Sequence, residues 1–481
     1  MEKKYYFHAG IAVKSLFLLV LMIDAIPFLY DRYGGYVKIF LAVCIMYLGI
    51  GILLKHSTFK SRYIVFLLLF SFSYLITIIM NRSSYFPENM KQLIYMVMIF
   101  LLFYGHDSHN DMTMERDELQ KVTFVYEVAA FILAIACLFT YFLRIDLTYF
   151  IGESQQQIGM YDNRLWGIYN PNTGAGIAMV AMYISLYQVL KENRLYLIIF
   201  HTASLMTEIL LLVLSGSRAP LAVSIAGSVC IIVFEYLRRM GHSRVKLKYW
   251  RSKCLGSLMI ILLGFFVLKP VMAEIPGKIV EVQSVVAVRA QCMDGIEHYL
   301  GIEHKEPEKK DNTLTAKVDL TRKEKEEKRP GGTLTGRTDL WNSGLKCFIR
   351  HPLWGVGREG LYDACEPFLA DKTWQGSLYY GGLHNIFLTI LVSSGLGGMI
   401  FIAVFLFLVF SYIVRAVFSR NIQLKVPEVN LCLAVFLSMG AVEMLEARIL
   451  YRVGIFVPLF WMFAGWLVRL CELDEQEIKN A

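Results

Sequence analysis

Apolar runs long enough to cross a bilayer, about 20 residues each, recur twelve times along the chain, at about 11–30, 36–54, 63–80, 90–105, 120–143, 173–190, 195–214, 219–237, 254–271, 384–413, 427–445 and 452–469. The pattern predicts an all-α polytopic membrane protein with about 12 transmembrane helices. The 90–105 run is the weakest, and 384–413 is long enough to tilt or to extend past the bilayer. The first run follows Met-Glu-Lys-Lys and lacks a small-residue cleavage site, so it is expected to stay as a membrane helix.

Two connections exceed what a turn needs, 144–172 and 272–383. The chain therefore divides into helices 1–9 over 1–271, a loop domain over 272–383, and helices 10–12 with a tail over 384–481. Inside the loop domain, 303–330 is dense in Lys and Glu and nearly free of aromatic residues, which predicts a solvated, mobile insert. Residues 333–368 regain Trp, Leu, Phe and Gly, and short folded helices are expected there. Lys and Arg concentrate on the connections that face inward when the N-terminus is cytoplasmic, most strongly over 238–253. This bias predicts two cytoplasmic termini and an extracytoplasmic loop domain between helices 9 and 10.

Composition agrees with a bilayer protein: 481 residues, 56% hydrophobic, 18% charged, with a mean hydropathy of +0.49. The formal net charge of +8 reads as membrane topology, and no nucleic-acid partner is inferred from it. Nine cysteines occur without a C-x-x-C pair or a spaced His cluster, so neither a metal nor another cofactor is indicated. Cys292, Cys347 and Cys365 fall in the outer segment, where a disulfide such as Cys347 to Cys365 is open.

Four constellations fall on the outer side in this topology. Ser215-Gly216-Ser217-Arg218-Ala219-Pro220 is a tight break between two runs; its arginine either snorkels at the interface or presents a fork of donors to phosphate oxygens. Gly336-Arg337-Thr338-Asp339-Leu340-Trp341 sets Arg337 and Trp341 on one helical face, so the ring can brace or stack beside the guanidinium, and His351-Pro352-Leu353-Trp354-Gly355-Val356-Gly357 follows with enforced turns. His384-Asn385 opens an apolar run with Gly395 and Gly398 further along, spaced for close helix packing, and a histidine there is either structural or able to take a proton. Arg164, Gly167 and Asn170-Pro171-Asn172 read as a loop turning into a span.

In this order, the four resemble the O-antigen ligase and polymerase superfamily: an Arg-x-x-Gly loop with Asn-Pro-Asn, a Ser-x-Ser-Arg break, Gly-Arg-x-x-x-Trp with His-Pro-x-x-Gly-x-Gly, and a closing His-Asn with two glycines, met by His384, Asn385, Gly395 and Gly398. The resemblance covers about 164–413 and implies a GT-C-like membrane glycosyltransferase that works without a metal. Such an enzyme moves a glycan from undecaprenyl diphosphate to a glycan or lipid-glycan acceptor, as a polysaccharide polymerase or an O-antigen or wall-glycan ligase. It implies that Arg218 and Arg337 hold the donor diphosphate and that His384 is the base toward the acceptor hydroxyl, with Arg164, Asn172, Trp341 and Asn385 in support. The expected location is a bacterial cytoplasmic membrane with the active site outward. The Lys/Glu insert departs from the family pattern and bears on acceptor geometry.

Ionisable residues inside apolar runs are costly and often functional, and Asp24, Glu127, His201, Glu208 and Glu443 are such residues. His201 and Glu208, seven apart, share a helix face that leads to Arg218, so Glu208 is read either as a polar interior beneath the site or as a helix–helix hydrogen-bonding group. Glu443, Glu446 and Arg448, near the outer end of the eleventh run, are expected to line the same cavity. The competing class is a polytopic transporter or flippase of lipid-linked glycans. The facilitator loop signature is absent where the chain reads Lys55 to Arg62, and the long loop lies after the ninth run rather than between two halves.

Overall fold

The computed structural model of the protein describes residues 2–56, 60–151, 154–239, 244–280, 282–301, 337–418 and 426–480, with Val318 and Leu320. The charged stretch 303–330 lies outside them apart from those two residues. The chain forms two compact units, one of residues 1–18, 39–121 and 326–481, the other of residues 19–38 and 122–325.

The protein is an all-α polytopic membrane protein in which eight described helices are long and apolar enough to cross a bilayer, or nine if Arg251–Phe266 and Pro270–Val280, bent by 65°, count as one broken span. The twelve runs of the hydropathy pattern are all helical, but three give short helices: Ile64–Met80, Phe86–Ile99 and Glu428–Glu443 have 17, 14 and 16 residues. At about 1.5 Å per residue the shortest covers about 21 Å, less than the roughly 30 Å of a hydrocarbon core. Its apolar continuation, Phe100–Tyr104, is a π-turn.

In the second unit, the first long connection is not irregular. It forms an antiparallel sheet of Asp146–Ile151, Ser154–Tyr161 and Arg164–Gly167 in that order. Leu147, Tyr149 and Ile158 are buried from one face with Leu143 and Ile145, and Cys292 and Ile296 of helix Gln283–Leu300 pack on them. Gly159 sits at the register shift with φ +88°, its Cβ position 1.8 Å from Ile145 O, so no side chain fits there. Helix Pro171–Lys191 starts with Pro171 after the N-cap Asn170, whose side chain accepts from Asn172 N. It is buried nearly all round and packs on Leu195–Ser215 and Arg218–Arg239.

The first unit is organised by a break in helix Ile386–Phe418. Gly395 leaves helical geometry at φ 62° and ψ −165°. The groups freed from the ladder do not go unpaired: Leu396 N donates to Pro352 O (2.9 Å), while Val392 O and Ser393 O accept from the loop amides Val356 N and Gly357 N (3.0 Å each). The loop 352–357 is thus laced to the unwound turn. An added Cβ at Gly395 would lie 2.2 Å from Leu353 O, and one at Gly355 2.5 Å from Val392 O. The reading of Gly395 as a helix-packing glycine is therefore corrected: it is the dock for the His-Pro-Leu-Trp-Gly-Val-Gly loop. Gly398 does permit close packing, its Cβ position lying 3.3 Å from Phe70 of helix Ile64–Met80.

That helix grips the loop from its other side. Thr77 Oγ1 donates to Trp354 O (2.6 Å), Asn81 Nδ2 to Gly355 O (3.1 Å), and Arg358 N donates to Tyr74 Oη (3.2 Å). Helix Phe456–Asn480 fills the interior of the unit with Trp461 and Trp466 fully buried.

Gly395→Ala combines a positive φ with a backbone clash and is expected to cost about 2–4 kcal/mol. Gly256→Ala, a helical site with open space around it, is expected to stay within about 1 kcal/mol of wild type. Melting of the two detergent-solubilised variants against wild type checks this, and equal melting temperatures would contradict the role of the break.

Candidate functional site

His384 lies in the turn between the short helix Gln375–Gly381 and helix Ile386–Phe418. Three features hold it. Asn385 caps the long helix, its Oδ1 accepting from Leu388 N (3.0 Å), and its Nδ2 donates to Met444 O (3.1 Å). Trp341, on helix Arg337–Arg350, donates its indole N–H to Leu383 O (3.0 Å), so its ring braces the turn. Gly381 leaves the room the imidazole occupies: a Cβ there would fall 2.2 Å from His384 Nε2. His384 itself is in the left-handed region at φ 49°, a conformation a non-glycine residue keeps only where its surroundings impose it.

The side chain of His384 is 19% exposed. Its Nδ1 is 3.2 Å from Glu446 Oε2, and its Nε2 is 3.2 Å from Ser377 Oγ. The other oxygen of Glu446, Oε1, accepts from Arg337 Nη2 at 3.4 Å. One carboxylate therefore joins the two residues, Arg337 and His384, that the sequence motifs single out separately. Burial raises the Glu446 carboxyl, but the His384 hydrogen bond and the charges of Arg448, His384 and Arg337 outweigh it, leaving the group below the usual glutamate range. Glu443 ends helix Glu428–Glu443 and binds Arg448, with Arg448 Nε 3.2 Å from Oε1 and its backbone N–H directed at Oε2. It anchors the segment that carries Glu446 and has no contact of its own with His384 among the described residues.

In the second unit, Arg164 donates from Nε to Ser215 O (2.8 Å) and from Nη2 to Asn172 Oδ1 (3.1 Å), and Ser217 Oγ donates to the same oxygen (2.9 Å). The Arg-x-x-Gly loop, the Asn-Pro-Asn turn and the Ser-x-Ser-Arg break are thus one hydrogen-bonded cluster. Arg218 opens helix Arg218–Arg239 beside it and is exposed. Within the helices, His201 does not pair with Glu208. It binds Glu127 at 2.8 and 3.0 Å, and Ser185 Oγ donates to the same carboxylate (2.6 Å). Glu208 is fully buried, and among the described residues neither of its oxygens has a hydrogen-bond partner, whereas Glu127 is bonded across helices by His201 and Ser185.

An apolar cleft of about 380 Å³ in the first unit begins at Ile386 and Phe387, next to the His384 turn, and runs on past Leu406, Phe436, Gly440 and Phe460. Elsewhere in that unit, His56, Asp107 and His109, and His106, Glu115 and Glu118, are grouped closely enough to offer metal donors. In the second group Lys14 Nζ already occupies Glu118 at 2.7 Å. Neither group includes a residue of the His384 cluster. Cys347 and Cys365 are free thiols buried side by side in one apolar cluster.

Sequence reasoning gave Glu446 a place in the cavity lining with Glu443 and Arg448 but no link to Arg337 or His384, and it passed over Ser377. Glu446 lies 62 positions from His384, in no motif, and only its closeness to Glu443 and Arg448 marked it. Comparison with known families finds that residues 202–403 match the family described as O-antigen ligase. The match includes Arg218, Arg337, Trp341, His384 and Asn385 and stops short of Glu446. No curated protein matches the chain.

Because the native Glu446 carboxyl titrates below its unfolded value, its contribution to stability is complete above the ordinary glutamate range, near pH 4.3, and is lost as pH falls through the native value. Glu446→Gln is expected to cost about 2 kcal/mol at pH 7, with the gap to wild type closing as the medium is acidified below pH 4. A gap that stays constant from pH 7 to pH 3 would remove the charge-based role.

Proposed function

From the O-antigen ligase family domain that this polytopic membrane protein carries at residues 202–403, we propose that it is a glycosyltransferase that moves a glycan from undecaprenyl diphosphate to the hydroxyl of a glycan or lipid-glycan acceptor, as a polysaccharide polymerase or a ligase. The observation that supports this most is the shared carboxylate: Glu446 sets a base and an anion-binding arginine beside each other.

In the reaction, His384 accepts the acceptor's hydroxyl proton as that oxygen attacks the anomeric carbon. The bond from the anomeric carbon to the diphosphate oxygen breaks, and the lipid diphosphate leaves with the electron pair. Glu446 at Nδ1 favours the tautomer with its proton there, so Nε2 is the basic nitrogen. Ser377 Oγ, 3.2 Å from Nε2, marks the position from which a hydroxyl reaches it. Arg337 meets the charge developing on the leaving diphosphate. Its approach to Glu446, 3.4 Å, is longer than the roughly 2.7–2.9 Å of a strong charge-assisted bond, and leaves donors for phosphate oxygens. Arg218 is assigned to the same diphosphate on the family resemblance, and so are the supporting positions of Arg164 and Asn172. The polyprenyl tail of the donor suits the apolar cleft that opens beside Ile386. The assigned setting is a bacterial cytoplasmic membrane, with both termini cytoplasmic and the His384 turn facing outward.

Purified protein incubated with an undecaprenyl-diphosphate-linked glycan is expected to give a product ladder if it polymerises, or a single shifted band that needs an added acceptor if it ligates. His384→Ala is expected to give neither, and Arg337→Gln and Arg218→Gln to lose at least tenfold in kcat/KM. Wild-type protein that leaves the donor untouched across acceptors would sink the enzyme reading and favour transport. Gly440→Phe, which fills the cleft, is expected to raise KM for the lipid-linked donor about tenfold with kcat little changed. An unchanged KM removes the cleft from donor binding.

A further inference from the structure

Arg358 follows directly on the docked loop and is 8% exposed. Its backbone N–H is accounted for by Tyr74 Oη (3.2 Å), but its guanidinium makes no hydrogen bond or ion pair with any described residue. The neighbouring carboxylate, Glu359, is engaged by the side-chain amide of Gln92 instead. A buried, unpaired charge costs several kcal/mol and persists where something outside the chain offsets it.

The position of this guanidinium gives it a purpose. A Cβ added at Gly382 would lie 3.3 Å from Arg358 Nη2, so the side chain ends against the turn that leads into His384. A second arginine, Arg452, reaches the same turn, donating from Nη2 to Tyr380 O (2.9 Å). Among the described residues neither has a carboxylate within ion-pair distance. Burial pulls Arg358 below its ordinary range, and burial together with the Arg358 charge brings Arg452 down to about 10. Two guanidiniums that reach one turn, Arg358 against Gly382 and Arg452 on Tyr380 O, both charged at neutral pH, make a receptor for an oxyanion.

We propose that Arg358 and Arg452 form an oxyanion subsite against the 380–382 turn, which takes a phosphate or carboxylate group of the substrate that His384 acts on. The subsite rests on the transferase reading for its purpose but not for its test, which needs no turnover. The two sources of such an anion are the diphosphate of the lipid donor and a uronate carboxylate on the glycan.

Thermal melting of the full-length protein in detergent at fixed ionic strength, titrated with inorganic pyrophosphate and separately with glucuronate, tests it. Wild type is expected to gain stability saturably from at least one anion, and His384→Ala to keep that response. Arg358→Met is expected to melt higher than wild type without ligand, because the unpaired charge is gone, and to need at least tenfold more of the effective anion. Loss of the pyrophosphate response assigns the subsite to the donor diphosphate; loss of the glucuronate response assigns it to the glycan. A wild type indifferent to both anions, an Arg358→Met variant that melts lower, or an unchanged titration midpoint would each overturn the proposal. Should Arg358→Met not yield folded protein, Arg452→Gln carries the same titration, and an unchanged midpoint there overturns it equally. The transfer assay fails or succeeds independently, since His384→Ala abolishes transfer and leaves the anion response.

Discussion

A carboxylate that is mostly buried stays ionised only where cations and hydrogen bonds meet it from close range, and the first unit is built to supply Glu446 with both. Arg337 arrives from the start of helix Arg337–Arg350, His384 from the turn before helix Ile386–Phe418, and Arg448 from the segment that Glu446 shares. Three pieces of chain far apart in sequence are held to one charge. Glu443, through Arg448, fixes the segment from below, and Asn385, through Met444 O, ties it to the histidine turn. The strained φ of His384 is kept by this arrangement, and the imidazole presents one nitrogen to Glu446 and the other to the side where Ser377 lies.

The second constraint is the break at Gly395. A continuous helix would have no free carbonyls for the 352–357 loop, and the loop's amides would have no partners. Unwinding one turn solves both problems, and glycine is needed because Leu353 O occupies the space of a side chain. The loop so fixed ends at Arg358, whose burial beside the His384 turn follows from the same docking.

Much of this was legible in the amino-acid order. Among the described residues, the apolar runs located every helix long and apolar enough to cross a bilayer, because bilayer thickness demands a length that periodicity alone cannot hide, but they missed Gln283–Leu300 in the outer connection. His384, Arg337 and Trp341 stood out because they sit in spaced motifs; the structure bonds Trp341 to the His384 turn directly and Arg337 to it through Glu446. The count of twelve was not matched by twelve full-length spans, because apolarity reports burial in lipid or in protein alike, and Phe86–Ile99 is too short to tell the two apart by composition. The sheet over 146–167 escaped because its alternation is brief and lies beside long apolar helices. Glu446 was placed near the site, but its link to Arg337 and His384 was not legible, because it belongs to no motif and a single carboxylate outside one carries no signal of its partners until folding brings them to it. Gly395 was visible as a glycine but not as a break, since its φ is set by a loop some forty residues earlier.

The most direct measurement is a double-substitution cycle on the rate of glycan transfer, using Arg337→Gln, Glu446→Gln and the combination. If Glu446 acts by holding Arg337 and His384 together, the combined variant loses about as much in kcat/KM as the worse single variant, since both remove one unit. Losses that multiply, each substitution costing its full factor in the presence of the other, would show that Glu446 and Arg337 act independently and would contradict the shared-carboxylate site.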